Sequence, residues 1–98
     1  MASKVIWSPQ AIADLQQIGD YIARDSIQYA NRVGERMLAA MERAAEFPQM
    51  GRVVPEREEE AIREVIVYSY RLIYRVKPDV VELITIIHGA RQLDPNTL

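Results

Sequence analysis

The sequence contains no cysteine, which excludes disulfides, thiolate nucleophiles and cysteine-built zinc or iron–sulfur centres. Its single histidine, His88, cannot form a multi-histidine metal centre within one chain. No apolar run approaches the ~18 residues that a membrane helix needs. The opening Met1-Ala2-Ser3-Lys4-Val5-Ile6-Trp7 lacks the long apolar core of a signal peptide, so the expected location is the cytoplasm. Gly51 and Gly89 make no phosphate-loop spacing, and no serine stands in a nucleophile-elbow context. An excess of positive charge is missing too. The formal net charge is −2, which argues against binding nucleic acid by charge alone.

What remains is an ordinary globular composition, 49% hydrophobic and 27% charged over 98 residues. That is room for one domain, residues 1–98, around one core, with a modest stability margin that makes a permanent partner unsurprising. Acidic weight gathers in Glu56, Glu58, Glu59 and Glu60, while Arg63, Arg71, Arg75 and Arg91 follow, so a local basic patch is compatible with the acidic total. The run Glu58-Glu59-Glu60 reads as a solvated loop rather than a metal site.

Lys4 to Trp7 is a short β-prone opening. Ser8-Pro9 then starts a helix, with Ser8 as cap, Pro9 at the first helical position, and Trp7 and Ile12 at the positions of a hydrophobic staple. Ile12, Leu15, Gly19 and Ile22, with Ile18 nearby, make an apolar stripe at helical spacing. Asp25-Ser26 breaks this helix and caps a second, with Gln28 placed for a capping box. Ala30, Val33, Met37, Met41 and Ala44 carry the second stripe towards Phe47, and Pro48 ends it; the methionines read as core packing. The short linker predicts an antiparallel hairpin, with Gly19 and Gly34 placed to let the helix backbones approach.

Residues 48–60 read as an extended connection. Ile62 to Val67, Tyr70 to Val76 and Val80 to Ile87 are rich in β-branched and aromatic residues, with Lys77-Pro78-Asp79 a good turn and Tyr68-Ser69 a poorer one. The tail from Asp94 to Leu98 carries no structural signal. The order β-α-α-β-β-β predicts an α+β fold, with the helical hairpin on one face of a small, mostly antiparallel sheet.

Alternation along the middle strand sends Tyr70, Leu72, Tyr74 and Val76 towards the helices and Arg71, Ile73 and Arg75 to the other, open face. Arg91 can fold over that face, and Arg63 can join if its register allows. Such a cluster is a cradle for phosphate or carboxylate, because guanidinium binds both in bidentate fashion. The plainer alternative is that these arginines solvate the face or pair with Glu64 and Glu82. His88 is the acid–base candidate. With Val76 opposite Val80 it falls on the Leu72 face, away from Arg71; a one-residue shift would bring it to the arginines.

Trp7-Ser8-Pro9-Gln10-Ala11 leading into Asp14-Leu15, Ile18 and Tyr21-Ile22 resembles the start of the RelE/ParE toxin superfamily. Phe47-Pro48-Gln49-Met50-Gly51-Arg52 with Val54-Pro55-Glu56, then Arg63-Glu64 and the run Tyr70 to Val76, and the close His88-Gly89-Ala90-Arg91, resemble its later parts in order. The resemblance implies a toxin neutralised by a cognate antitoxin encoded beside it, as a homodimer or a toxin–antitoxin heterotetramer, with no metal and no cofactor.

Two branches of that superfamily differ in mechanism. RelE-like members cut messenger RNA on the ribosome, and ParE-like members inhibit DNA gyrase. Arg71 and Arg91 match arginines of the RNA-cleaving branch, where they would stabilise a phosphoryl transition state, with His88 as acid–base group. The departures are Arg63 and Glu64, where that branch carries lysines, and Asn96, Thr97 and Leu98, where it carries a tyrosine. The resemblance therefore points to a ParE-like toxin acting on gyrase, with Arg63, Arg71, Arg75 and Arg91 contacting target or antitoxin. The alternatives are a ribosome-dependent endoribonuclease using Arg71, Arg91 and His88, and a degenerate toxin that binds only its antitoxin.

Overall fold

Ser8 starts the first helix with two hydrogen bonds. Its hydroxyl oxygen accepts from the Ala11 N–H at 3.0 Å, capping the helix, and its O–H donates to the Ile84 carbonyl at 2.6 Å, fixing the helix to a distant strand. Around that anchor the computed structural model describes residues 4–89, 91, 93, 94, 96 and 98. Met1 to Ser3, Ala90, Gln92, Pro95 and Thr97 lie outside the described residues, among them Ala90 of the closing run and Thr97 of the tail. The elements are β1 (Lys4–Trp7), α1 (Pro9–Ala23), α2 (Ile27–Glu46), β2 (Arg52–Val53), β3 (Ile62–Val67), β4 (Tyr70–Val76) and β5 (Val80–His88).

The strands form one sheet in the order β1-β5-β4-β3-β2. β1 runs parallel to β5, and the other neighbours are antiparallel. The fold is thus α+β, with one strand more than the sequence predicts, because β2 lies within the stretch read as a plain connection. Two residues between Gly51 and Pro55 are too few to show a period of two.

The register of β4 against β5 also differs from expectation. Val76 pairs with Val81 rather than Val80, and β5 then carries an extra residue, Ile84, between Leu83 and Thr85. The shift and the bulge cancel in parity, so His88 pairs with Tyr70 and stays on the Leu72 face, away from Arg71. At this bulge Asp14 of α1 accepts from the Thr85 hydroxyl at 2.6 Å and from the Ile86 N–H at 3.0 Å. Ser8 and Asp14 together hold α1 on the irregular part of β5.

The helices pack on the sheet face of Leu72, Tyr74, Val81, Leu83 and Ile86, with Ala11, Val33, Met37, Met41 and Ala44 buried against it. α1 turns Ala11, Leu15, Ile18 and Ile22 to this core, while Ile12 stays exposed, outside the stripe predicted for it. Ser26 caps α2 by accepting from the Tyr29 N–H, which puts Gln28 one position short of a capping box.

Gly19 and Gly34 do not bring the helices together. A Cβ on either would meet nothing within 4 Å, and both border an open groove between α1 and α2. Glycine inside a helix is costly mainly through the entropy of the unfolded chain. Gly34→Ala is therefore expected to stabilise the fold by about 0.5–1 kcal/mol, read as a higher midpoint in urea; a lower midpoint would show that the groove needs a bare backbone.

Candidate functional site

The face of the sheet opposite the helices is covered, contrary to the expectation of an open arginine face. Val54, Ile62, Ile73, Ile84 and Leu93 form a second small core there, with Ile87 and Leu98 packed on it, although the tail carries no structural signal. The 54–57 turn and the C-terminal segment supply the cover, and Arg71 joins them.

Arg71 is buried, with about 7% of its side chain exposed, beside Glu64, whose side chain is wholly buried. Its Nη1 and Nη2 donate to the two carboxylate oxygens of Glu56 at 2.8 Å each. Its Nε donates to Glu64 Oε1 at 2.6 Å, and Nη1 also reaches the Arg91 carbonyl at 3.4 Å. Glu64 Oε2 accepts from Arg52, and Glu56 Oε2 also accepts from the Leu93 N–H at 3.1 Å. The arginine predicted to face solvent is thus the centre of a saturated ion cluster that ties the 54–57 turn, the neighbouring strand β3 and the C-terminal segment to β4.

The same contacts set the local electrostatics. The hydrogen bond from Arg71 lowers the Glu56 carboxyl to about 2; burial opposes the shift, and the Leu93 N–H assists it. Arg71 is in turn raised above arginine's ordinary value by Glu56, against burial and with help from Glu64. Because Glu56 is depressed in the folded state, its stabilisation is present above the unfolded value near 4.5 and is lost as pH falls from there towards 2. After allowance for its partial exposure this amounts to about 2 kcal/mol. Glu56→Gln should flatten the acid limb of stability between those pH values. An unchanged limb would mean that the carboxylate gains nothing from Arg71.

The remaining predicted residues disperse. Arg63 pairs with Tyr74 in register, on the helix side, so it cannot join Arg71. Its guanidinium instead donates to the Gly51 carbonyl at 2.8 Å and the Glu60 carbonyl at 2.9 Å. Arg75 does lie on the Arg71 face, opposite Glu82, but Ile73 separates the two arginines. Glu82 forms its ion pair with Lys77 at 3.3 Å. Arg91 offers Arg71 only its backbone oxygen, and its side chain lines a cleft with His88.

That cleft, of about 350 Å³, lies where the end of β5 meets α1 and is lined by Tyr21, Tyr70, His88, Arg91 and Asp14 among others. His88 meets Tyr70 edge-on, with ring centroids 5.7 Å apart. Burial raises the Tyr70 hydroxyl, with smaller contributions from Tyr29 and Tyr21. The cleft joins the histidine to Arg91 but not to Arg71. Sequence reasoning missed Tyr21 and Tyr70 as companions of His88; the signal was available in Tyr21, which falls off the apolar stripe of α1. Among the described residues no three His, Asp or Glu side chains group so as to hold a metal ion.

Comparison with known proteins gives a consistent picture. Residues 5–93 match the model of the family described as the ParE toxin of the type II toxin–antitoxin system parDE. Toxin RelE2 of Caulobacter vibrioides is 36% identical over 90 residues, covering 91% of this chain and 98% of that protein. Among solved structures, a chain of a chromosomal ParDE system from P. aeruginosa superposes with a TM-score of 0.72 at 19% identity, covering 89% of this chain and 96% of that one. A chain of the RelBE2 toxin–antitoxin complex of Mycobacterium tuberculosis superposes at 0.57 with 18% identity, covering 90% and 99%.

Proposed function

Since the chain belongs to the ParE toxin family of type II toxin–antitoxin systems, we propose that it arrests growth by binding a protein target, DNA gyrase, and is neutralised by a cognate antitoxin. The observation that carries this reading is the state of Arg71. A ribonuclease of the related branch would use this arginine to stabilise charge on a phosphoryl group. Here its donors are committed to Glu56 and Glu64, and Glu56 holds the bidentate position that a phosphate would need. Releasing it would leave Glu64 buried beside an incoming phosphate of like charge.

The rival reading, cleavage of messenger RNA on the ribosome, draws support from the cleft that brings His88 and Arg91 together. Purified toxin, separated from its antitoxin, would be added in parallel to gyrase with relaxed plasmid and to translating ribosomes with a defined message. Loss of supercoiling with intact message is the expected result. Cut message with normal supercoiling would overturn the proposal.

A further inference from the structure

Four of the five tyrosines gather at one end of the molecule, around the β3–β4 turn: Tyr21, Tyr29, Tyr68 and Tyr70. The fifth, Tyr74, is buried in the core. Tyr68 meets Tyr29 of α2 edge-on at 5.7 Å, and the Arg36 guanidinium lies 5.8 Å from the Tyr68 ring centroid. Tyr21 is 64% exposed, Tyr68 42% and Tyr29 40%. Large aromatic rings so exposed add little to the stability of the fold they stand on.

The backbone of Tyr68 singles it out further. It occupies a two-residue connection between Val67 and Tyr70 with φ of 53°, in the left-handed region. Glycine, asparagine or aspartate normally fills such a position, because a side chain there clashes with the following carbonyl. The turn is also tied to the chain just after β5, since the Gly89 N–H donates to the Ser69 carbonyl at 2.6 Å. An exposed tyrosine held in that conformation points to a use for the ring outside the fold.

Among the described residues, three arginines without acidic partners stand around these rings. Arg32 and Arg36 stand a turn apart on α2, on the stripe of Tyr29, and Arg91 borders the cleft beside Tyr21. None of the three forms an ion pair among the described residues, whereas Arg52, Arg57, Arg71 and Lys77 all do. Asp14 in the cleft is already engaged by Gln10, Thr85 and Ile86. Asp20, at the margin of the patch by Tyr21, shares its stretch with Arg24.

We propose that this end of the molecule, built on Tyr21, Tyr29 and Tyr68 with Arg32, Arg36 and Arg91, binds an acidic segment of the toxin's protein target. The arginines pair with its carboxylates, and the tyrosine rings pack against its backbone and apolar groups. Tyrosine and arginine are the residues most enriched where protein interfaces concentrate their energy. A nucleic acid fits less well, because its dense backbone charge calls for a broad basic surface and this chain carries a net charge of −2. A short acidic stretch needs only these local cations. The inference rests on the protein-target reading above and adds the surface and the chemistry of its partner.

The test uses the full chain carrying Tyr68→Gly, and separately Arg32→Ala with Arg36→Ala. Glycine suits the turn, so Tyr68→Gly should melt at the same temperature as the wild type or higher. Its capture of the antitoxin should be unchanged, while the dose needed for growth arrest and for gyrase inhibition rises at least about tenfold. The double arginine variant should behave alike, and added salt should weaken it less than it weakens the wild type. Full toxicity in both variants overturns the proposal. So does loss of antitoxin capture together with toxicity, which would assign the surface to the antitoxin. Tight binding of a single-stranded RNA of about 20 nucleotides, lost in the variants, would make it an RNA surface instead. A wild type that arrests growth without inhibiting gyrase defeats the gyrase reading alone, and the growth assay then still decides this one.

Discussion

Arg71→Ala is expected to destabilise the toxin by about 3–5 kcal/mol, a large part of the stability of a domain this size. The cost comes from what is left behind. Glu64 is fully buried, and without Arg71 only the largely exposed Arg52 remains to compensate its charge. Glu56 loses its bidentate partner, and with it the 54–57 turn and the Leu93 segment lose their common anchor. Urea denaturation of the isolated toxin measures the effect. Replacing Arg71 and Glu64 together by methionine should recover most of the loss, because an apolar pair leaves no orphaned charge. A stable Arg71→Ala protein would show that the cluster contributes little. Loss of toxicity in that variant would not identify a catalytic arginine, since unfolding alone accounts for it.

Gly51→Ala is the second large effect, expected at about 3 kcal/mol. A methyl group at Gly51 would lie 2.6 Å from the Glu64 carbonyl oxygen and closer still to the Tyr74 hydroxyl. Neither neighbour can retreat. Tyr74 is buried, accepts from the Gly51 N–H at 3.0 Å and donates to the Pro48 carbonyl at 2.8 Å, while Glu64 sits in a strand. The added carbon would push β2 off the sheet and break the tyrosine's two hydrogen bonds. Thermal melting should show a fall of roughly 12–20 °C, and an unchanged midpoint would mean that the 48–51 loop yields freely.

These two positions mark where the sequence is legible and where it is not. Ser8-Pro9 and Ser26 announce the helix starts because capping is local chemistry, and the β-branched runs announce β3, β4 and β5 for the same reason. Alternation along β4 correctly divides its side chains between two faces. It says nothing of what covers a face, and the cover over Arg71 comes from Glu56 and Leu93, 15 and more residues away along the chain. Glu56 in particular sits beside the solvated run Glu58 to Glu60, and nothing in composition separates it from them. The placement of His88 depends on a bulge at Ile84, which the β-prone run Leu83 to Ile87, broken only by the β-branched Thr85, conceals. The tyrosine-rich end is assembled from α1, α2, the β3–β4 turn and β4, so no single window of sequence displays it.

The pairing of β1 with β5 has a consequence for how this chain folds. Among the described residues, Lys4 to Trp7 find their only sheet neighbours at Val80 to Leu83, far along the chain. The bonds that Ser8 and Asp14 make to β5 wait for Ile84, Thr85 and Ile86 of the same strand. The first strand and the seat of the first helix therefore cannot be completed until residues 80–86 are in place. Closing the sheet at that edge thus carries the entropy of a loop spanning 76 residues, a cost met only once β5 is there to receive the strand.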